Sequence, residues 1–334
     1  MRNFIIFIFV LTSLSIAAQQ ESNFAMPYLN NMQHNPAAVG TNNFDLRAFA
    51  NFRYQYFTVT KKPYRTISAA VEAKILKSKT NKHYMGIGLD FLNDGSGDGK
   101  YNVNQIMVPI AYHLFFDNNN SLALGVSAGM YQRSLNPEAF TWESQWTGIG
   151  FNDGIPGELM GGSRNAFNFD LGAGLFYKHQ TSITNKVYVG LSAGHLLAQE
   201  IGFNVGDKLE RRYTAQFGMS HRFDLTNFGI SPNIYAMLQG NNMNIIFGSN
   251  FEFYLQDRSQ RTLFVNPKYI SVGIYHRYLE GIIVNFQFVY EGLGIGFAYD
   301  SNINKLRTHS KTLGGLEIAL SYDLIINKKE KYIY

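Results

Sequence analysis

The chain has 334 residues, 29 basic and 24 acidic, for a formal net charge of +5. Charged side chains make up only 16%, against roughly 25% in an average soluble domain, while aromatics reach 15%. An apolar content of 46% excludes a disordered chain, and 31 Gly without a strict period, beside only 8 Pro, exclude a collagen-like one. Zero Cys excludes a disulfide scaffold, thiolate catalysis, cysteine-based zinc sites and a lipid anchor on cysteine. The small basic excess is spread among turns and ends, unlike the clustered charge of a nucleic-acid binder.

Residues 1–18 read as a secretory signal peptide. Arg2 supplies the positive start, Phe4 to Ile16 the apolar run, and Ser15-Ile16-Ala17-Ala18 a small-residue cleavage site after Ala17 or Ala18. The apolar run is shorter than the roughly 20 residues of a spanning helix. Residues 19–43 lack alternation. Asn35-Pro36 is turn chemistry, suited to a periplasmic segment or one that folds back into a barrel mouth; a flexible lead-in is the plainer alternative.

From residue 44 onward the dominant signal is a period of two. Leu122, Leu124, Val126, Ala128 and Met130 alternate with Ala123, Gly125, Ser127 and Gly129. Phe169, Leu171, Ala173 and Leu175 alternate with Asp170, Gly172 and Gly174, and Leu316 to Leu324 alternate with Glu317 to Asp323. Only a strand turns this period into two distinct faces. About fourteen such segments follow one another, near 44–57, 65–77, 82–93, 101–116, 120–134, 165–179, 185–199, 211–223, 228–240, 242–256, 267–277, 281–290, 292–300 and 313–326.

Many of them exceed soluble strand lengths and suit the roughly 9–11 tilted residues that cross a bilayer. Large apolar side chains share one face and Gly, Ser and Ala the other, as expected when lipid lies outside and the lumen inside. Strands in hydrocarbon must close on themselves, because an unpaired edge is too costly there. The expected fold is all-β: a transmembrane antiparallel β-barrel of outer-membrane type spanning 44–334. An even strand count puts both termini on the periplasmic side. The connections at 58–64, 94–100, 135–164, 200–210, 240–241, 278–280 and 301–312 then face outward. The 135–164 loop is the longest and holds Trp142, Trp146 and Phe151, which become candidate contacts for a protein partner; packing of the loop on itself is the alternative.

The inward face is expected to carry an acidic excess, with Asp45, Glu72, Asp90, Asp170, Glu252, Asp300, Glu317 and Asp323 against Arg47, Arg53, Lys74 and Arg222. The first and last strands must pair antiparallel to close the barrel, and facing residues then have a constant sum of numbers. Arg47 with Asp323 and Arg53 with Glu317 satisfy one such sum, which predicts inward ion pairs along the seam. Glu72 is placed to approach Arg53 across the first hairpin. Solvated lumen charges are the competing reading.

Motifs for chemistry are weak. Asn93 to Gly99 looks faintly like a calcium loop but lacks its ligand alternation and terminal Glu, so a glycine-rich hairpin tip is expected. Gly292-Leu293-Gly294-Ile295-Gly296 lacks the dinucleotide spacing and sits in a strand period. The eight His show no metal-ligand spacing, and those in or near strand ends (His113, His195, His221 and His276) suit structural or interfacial roles. No G-x-S-x-G elbow occurs. No cofactor, no metal and no enzymatic activity are expected, and the Tyr and Phe excess suits aromatic girdles at the membrane interfaces.

Two blocks carry a resemblance. The first is Gln19-Gln20, then Phe24, Tyr28, Asn30 and Asn35-Pro36-Ala37-Ala38-Val39-Gly40. The second is Gly294 to Asn302 followed by Gly315-Leu316-Glu317-Ile318-Ala319-Leu320-Ser321-Tyr322. Together they resemble the PorP/SprF family of type IX secretion system outer-membrane proteins of the Bacteroidota. The resemblance implies a non-enzymatic component that binds, and helps secrete or anchor, a surface cargo protein such as a gliding adhesin through the cargo's C-terminal domain. It also implies other secretion components and outer-membrane lipid as partners. A passive pore or small-solute transporter shares the same barrel and is the alternative.

Overall fold

The computed structural model describes residues 23–326 except 79–81, 98, 153, 158–163, 183, 199–207, 257–267 and 305–306. The signal-peptide segment and the C-terminal Lys328 to Lys331 lie outside the described residues.

Fourteen antiparallel strands form one closed barrel. In chain order they are β1 (Leu46–Gln55), β2 (Tyr64–Ile75), β3 (His83–Ser96), β4 (Tyr101–Phe115), β5 (Asn120–Leu135), β6 (Arg164–Gln180) and β7 (Lys186–Gly194). Then follow β8 (Arg212–Arg222), β9 (Phe228–Gln239), β10 (Asn242–Tyr254), β11 (Tyr269–Arg277), β12 (Gly281–Tyr290), β13 (Leu293–Asn302) and β14 (Leu313–Leu324). Each strand pairs with its sequence neighbours, and β14 pairs with β1 to close the ring. Most of the weak calcium-loop candidate is strand: β3 continues through Ser96, followed by turn residues Gly97 and Gly99, with Asp98 outside the described residues. The glycine run after Glu291 opens β13 with no helix behind it.

Alternation sets the two faces. Leu124 and Val126 on β5 are 59% and 61% exposed, while Ala123 between the strand walls is 1% exposed. The outward row on β14, Leu316, Ile318, Leu320 and Tyr322, is exposed, whereas Glu317 and Ala319 are buried. Exposed large apolar side chains in such rows are what a lipid-facing wall requires. Outward aromatics lie near both rims, with Tyr112, Phe116, Tyr177, Phe253 and Tyr290 towards the rim carrying the strand termini and Phe52, Phe167 and Tyr213 towards the other, and also at mid-strand, as at Phe217, Phe286 and Phe297. Two ladders open locally around prolines, which have no N–H to donate. One lies between Ile87/Ile110 and Asp90/Met107, beside Pro109, and the other between Gly218/Asn233 and His221/Ile230, beside Pro232.

The rim where β1 begins and β14 ends carries turns of a few residues and the 255–268 connection. The far rim carries the longer set, including the stretch from 136 to 163 between β5 and β6.

Candidate functional site

The lumen is occupied by the chain's own N-terminal segment. Residues 27–38 form three short helical turns, Pro27–Leu29, Asn31–His34 and Pro36–Ala38. Asn35 makes the last of these possible. Its extended backbone precedes Pro36, which needs no N–H partner, and its side chain accepts the N–H of Ala37 at 3.0 Å. The amide nitrogen of the same side chain donates to the carbonyls of Leu175 on β6, at 3.0 Å, and Leu191 on β7, at 3.4 Å. Asn35 is completely buried. Gly40 has φ +75°, a left-handed conformation that favours glycine, and a Cβ there would sit 3.0 Å from the Gly86 backbone.

The small inward residues of the strands are the counterpart of this segment. A Cβ on Gly86 of β3 would lie 2.2 Å from the carbonyl oxygen of Val39. One on Gly125 of β5 would lie 2.3 Å from the Ala37 nitrogen, and one on Gly174 of β6 would lie 2.1 Å from Asn35 Oδ1. Glycine in these three strands therefore makes room for a close backbone approach.

The other motif residues are held by side chains of β3, β11 and β12. Tyr28 stacks on Tyr275 of β11, with ring centroids 5.0 Å apart, and Gln287 of β12 donates to its hydroxyl at 3.1 Å. Asn30 donates to Asp90 of β3 at 3.1 Å. Phe24 is buried, and its carbonyl accepts from Arg277 at 3.2 Å. Pro36 is buried beside Asn35. The six motif residues, Phe24, Tyr28, Asn30, Asn35, Pro36 and Gly40, thus sit against side chains and backbone from both halves of the barrel.

One end of the segment is fastened at the closing seam and the other to β2, β3 and β6. Arg47 pairs in register with Asp323 and Arg53 with Glu317. The Arg47 Nε lies 3.2 Å from Asp323 Oδ1, and Arg53 Nη1 lies 3.4 Å from Glu317 Oε2. Arg53 also reaches Asp300 of β13 at 2.6 Å, which in turn takes Arg277 at 3.1 Å. The Glu317 carboxylate accepts the backbone N–H groups of Ala25 and Met26. At the other end, Gly40 N–H donates to Glu72 Oε2 at 2.6 Å and Tyr84 donates to the Gly40 carbonyl at 2.9 Å. Lys178 then holds the Thr41 carbonyl at 2.9 Å.

Two expectations are corrected here. Glu72 does not approach Arg53: the register places it opposite Arg47, 4.0 Å from Nη1, while Arg53 faces Thr66. The first hairpin's pairing offset decides this. The inward face has no acidic excess either, because Lys178, Lys186, Arg212 and Arg277 share the inward parity of their strands and face the lumen with the acids.

The far-rim loop separates its three aromatic candidates. Trp142 packs within the loop, with its indole N–H donating to the Pro137 carbonyl at 3.3 Å and its ring edge-on to Phe140. Trp146 and Phe151 face each other across an isolated antiparallel bridge, ring centroids 5.0 Å apart. They are 50% and 55% exposed, and Ile149 at the tip between them is 96% exposed.

The histidines are absorbed by structure. His113 is buried, stacks on Tyr84 and pairs through Nε2 with the Val39 carbonyl at 2.8 Å. His195 pairs through Nδ1 with Asp170 at 2.8 Å and lies edge-on to Tyr131. His221 and His276 lie edge-on to Phe223 and Phe247. Among the described residues, no group of three or more His, Asp or Glu is arranged to hold a metal ion. The arrangement supplies hydrogen-bond anchors for a peptide segment and an exposed aromatic tip.

A family model described as "Type IX secretion system membrane protein PorP/SprF" matches residues 16–322. Among solved structures, the chain is similar to the P. putida toluene transporter TodX, with TM-score 0.48 and 9% identity over 88% of this chain and 93% of that one. It is also similar to a Pseudomonas aeruginosa FadL homologue, with TM-score 0.45 and 9% identity over 86% and 92%. The outer membrane protein Omp33 of Acinetobacter baumannii matches with TM-score 0.39 and 10% identity over 84% and 98%. Among curated proteins, none matches the sequence.

Proposed function

Because the chain belongs to the PorP/SprF family of type IX secretion system membrane proteins, we propose that it is a non-enzymatic outer-membrane component that binds a specific secreted cargo and helps export or anchor it. On this reading the signal peptide delivers the chain to the periplasm and the far rim faces the cell exterior. The cargo is a surface protein such as a gliding adhesin, recognised through its C-terminal domain, and other secretion components are partners.

The observation that carries the proposal is the exposed aromatic tip on the far-rim loop. Trp146, Ile149 and Phe151 leave apolar surface uncovered on an ordered bridge, and aromatic anchors of this kind dominate protein-binding hot spots. The lumen segment supports a carrier over a passive pore, since a conducting barrel needs an open path where residues 24–40 lie. A photo-crosslinking amino acid at Ile149 tests the proposal. It is expected to capture one secreted protein in intact cells, with no product from the same probe at the lipid-facing Leu124. Absence of any Ile149 adduct in cells that secrete their cargo normally would remove the loop from the account.

A further inference from the structure

The N-terminal segment leaves part of the lumen empty. Beside it, on the side formed by β7 to β14 and β1, lies a cavity of about 230 Å³. Thr184 and Gly292, both in turns of the rim that carries the strand termini, line its mouth, and Tyr28 and Leu29 of the lumen segment close its inner end. It is a blind vestibule open to the side opposite the aromatic loop.

Its charged lining is unevenly used. Arg47 and Asp323 pair with each other at 3.2 Å. Glu252 accepts hydroxyls from Ser231, at 2.5 Å, and Tyr254, at 2.6 Å. Lys186, by contrast, makes no hydrogen bond and no ion pair at contact distance among the described residues, Glu252 and Asp323 acting on its ammonium only through space. The Tyr269 hydroxyl on β11 likewise makes no hydrogen bond among the described residues, although its ring packs against Tyr254 at 5.5 Å. An ammonium set in a barrel wall needs a counter-charge or good hydration. One ammonium and one phenol offer donors for the two oxygens of a monoanion. A phosphate dianion would call for more positive charge than Lys186 supplies beside Glu252 and Asp323, with Arg47 already paired. The rings of Tyr188 and Tyr254 and the amides of Asn250 and Gln287 line the same space, a mixed apolar and amide surface suited to a short peptide.

We propose that the vestibule binds a carboxylate entering from the terminus rim and seats it on Lys186 and Tyr269, the carboxylate belonging to a polypeptide chain end or to a free organic acid. This site is separate from the far-rim loop, and it stands whether or not that loop binds cargo.

Calorimetric titration of the folded full-length mature barrel in detergent tests it with three probes. These are an N-acetylated tripeptide with a free C-terminal carboxylate, the same tripeptide as its C-terminal amide, and acetate. The free-acid peptide is expected to bind roughly tenfold or more tightly than the amide, the difference a charge-assisted contact supports. Lys186→Met should abolish that discrimination, and Tyr269→Phe, which removes only the hydroxyl, should weaken the free-acid peptide severalfold. Acetate binding with the same Lys186 dependence would assign the site to free organic acids; binding of the peptide alone would assign it to chain ends. No binding of either carboxylate at millimolar concentration, or acid-over-amide discrimination that survives Lys186→Met, would overturn the proposal.

Discussion

Arg53 and Glu317 face each other across the strand pair that closes the barrel, 3.4 Å apart, and Glu317 at the same time accepts the backbone N–H groups of Ala25 and Met26. Barrel closure and insertion of the N-terminal segment therefore share one carboxylate. Arg53 is 1% exposed and Glu317 2% exposed, so neither charge has water to fall back on.

Glu317→Gln tests that sharing. Removing one partner of a buried pair costs about 3–5 kcal/mol when nothing replaces it. Here Asp300 remains on Arg53 at 2.6 Å, which places the expected loss near the lower end. Thermal unfolding should shift down, and protease should cut near residue 25 in the folded barrel. A variant with wild-type unfolding and a protected N-terminal segment would refute the coupling.

Asn35→Ala removes a turn cap and a bridge to β6 and β7 together. It leaves the Ala37 N–H and two carbonyls without their partner in a fully buried place. The expected cost is about 1–3 kcal/mol. The measurable consequence is faster hydrogen exchange across 31–40, with the outer strands unchanged.

Leu124→Arg and Gly125→Arg are neighbours that should fail differently. Leu124 lies on the exposed face at mid-strand, where Arg costs about 2–4 kcal/mol in a membrane barrel. Folding yield, read by heat-modifiable migration, should fall. At Gly125 any side chain meets Pro36 and Ala37, 2.3–2.5 Å from the first added carbon. That variant should still form a barrel but expel the N-terminal segment and open conductance in a planar bilayer. Equal, negligible effects of both would contradict the assigned faces.

Asp117 supplies a pH-dependent element outside the strands, in the β4–β5 turn. Hydrogen bonds from the Asn120 side chain and from the Asn119 and Asn120 backbone hold its carboxyl below the ordinary carboxylate value. The folded state therefore binds that proton less readily than the unfolded chain. The stabilisation is fully present above the ordinary value and is lost as pH falls through the depressed one. Carboxyl resonances should show Asp117 titrating below free aspartate, and Asn120→Ala should return it towards the ordinary value.

The strands and the closing register were legible because both follow from periodicity. Side-chain alternation gives the faces, and the constant sum of an antiparallel pair puts Arg53 opposite Glu317 before any coordinates exist. The same parity that turns Asp170 inward also turns Lys178 inward, so the missing cations lay within reach of the alternation had it been extended to the strand ends. Glu72 was misplaced because the hairpin offset depends on the turn at 56–63, which alternation does not specify. The role of Gly86, Gly125 and Gly174 was not legible. A small inward residue looks the same whether water or a peptide lies against it, and the partner atoms on Asn35, Ala37 and Val39 are distant in sequence.

The most direct test of the carrier account is affinity purification of the tagged barrel from outer membranes with mass spectrometry of what accompanies it. One large secreted protein is expected to co-purify, with its recovery sharply reduced by Trp146→Ala and Phe151→Ala while the barrel folds normally. A barrel that purifies alone and opens stable channels in a planar bilayer would contradict the account and favour a pore.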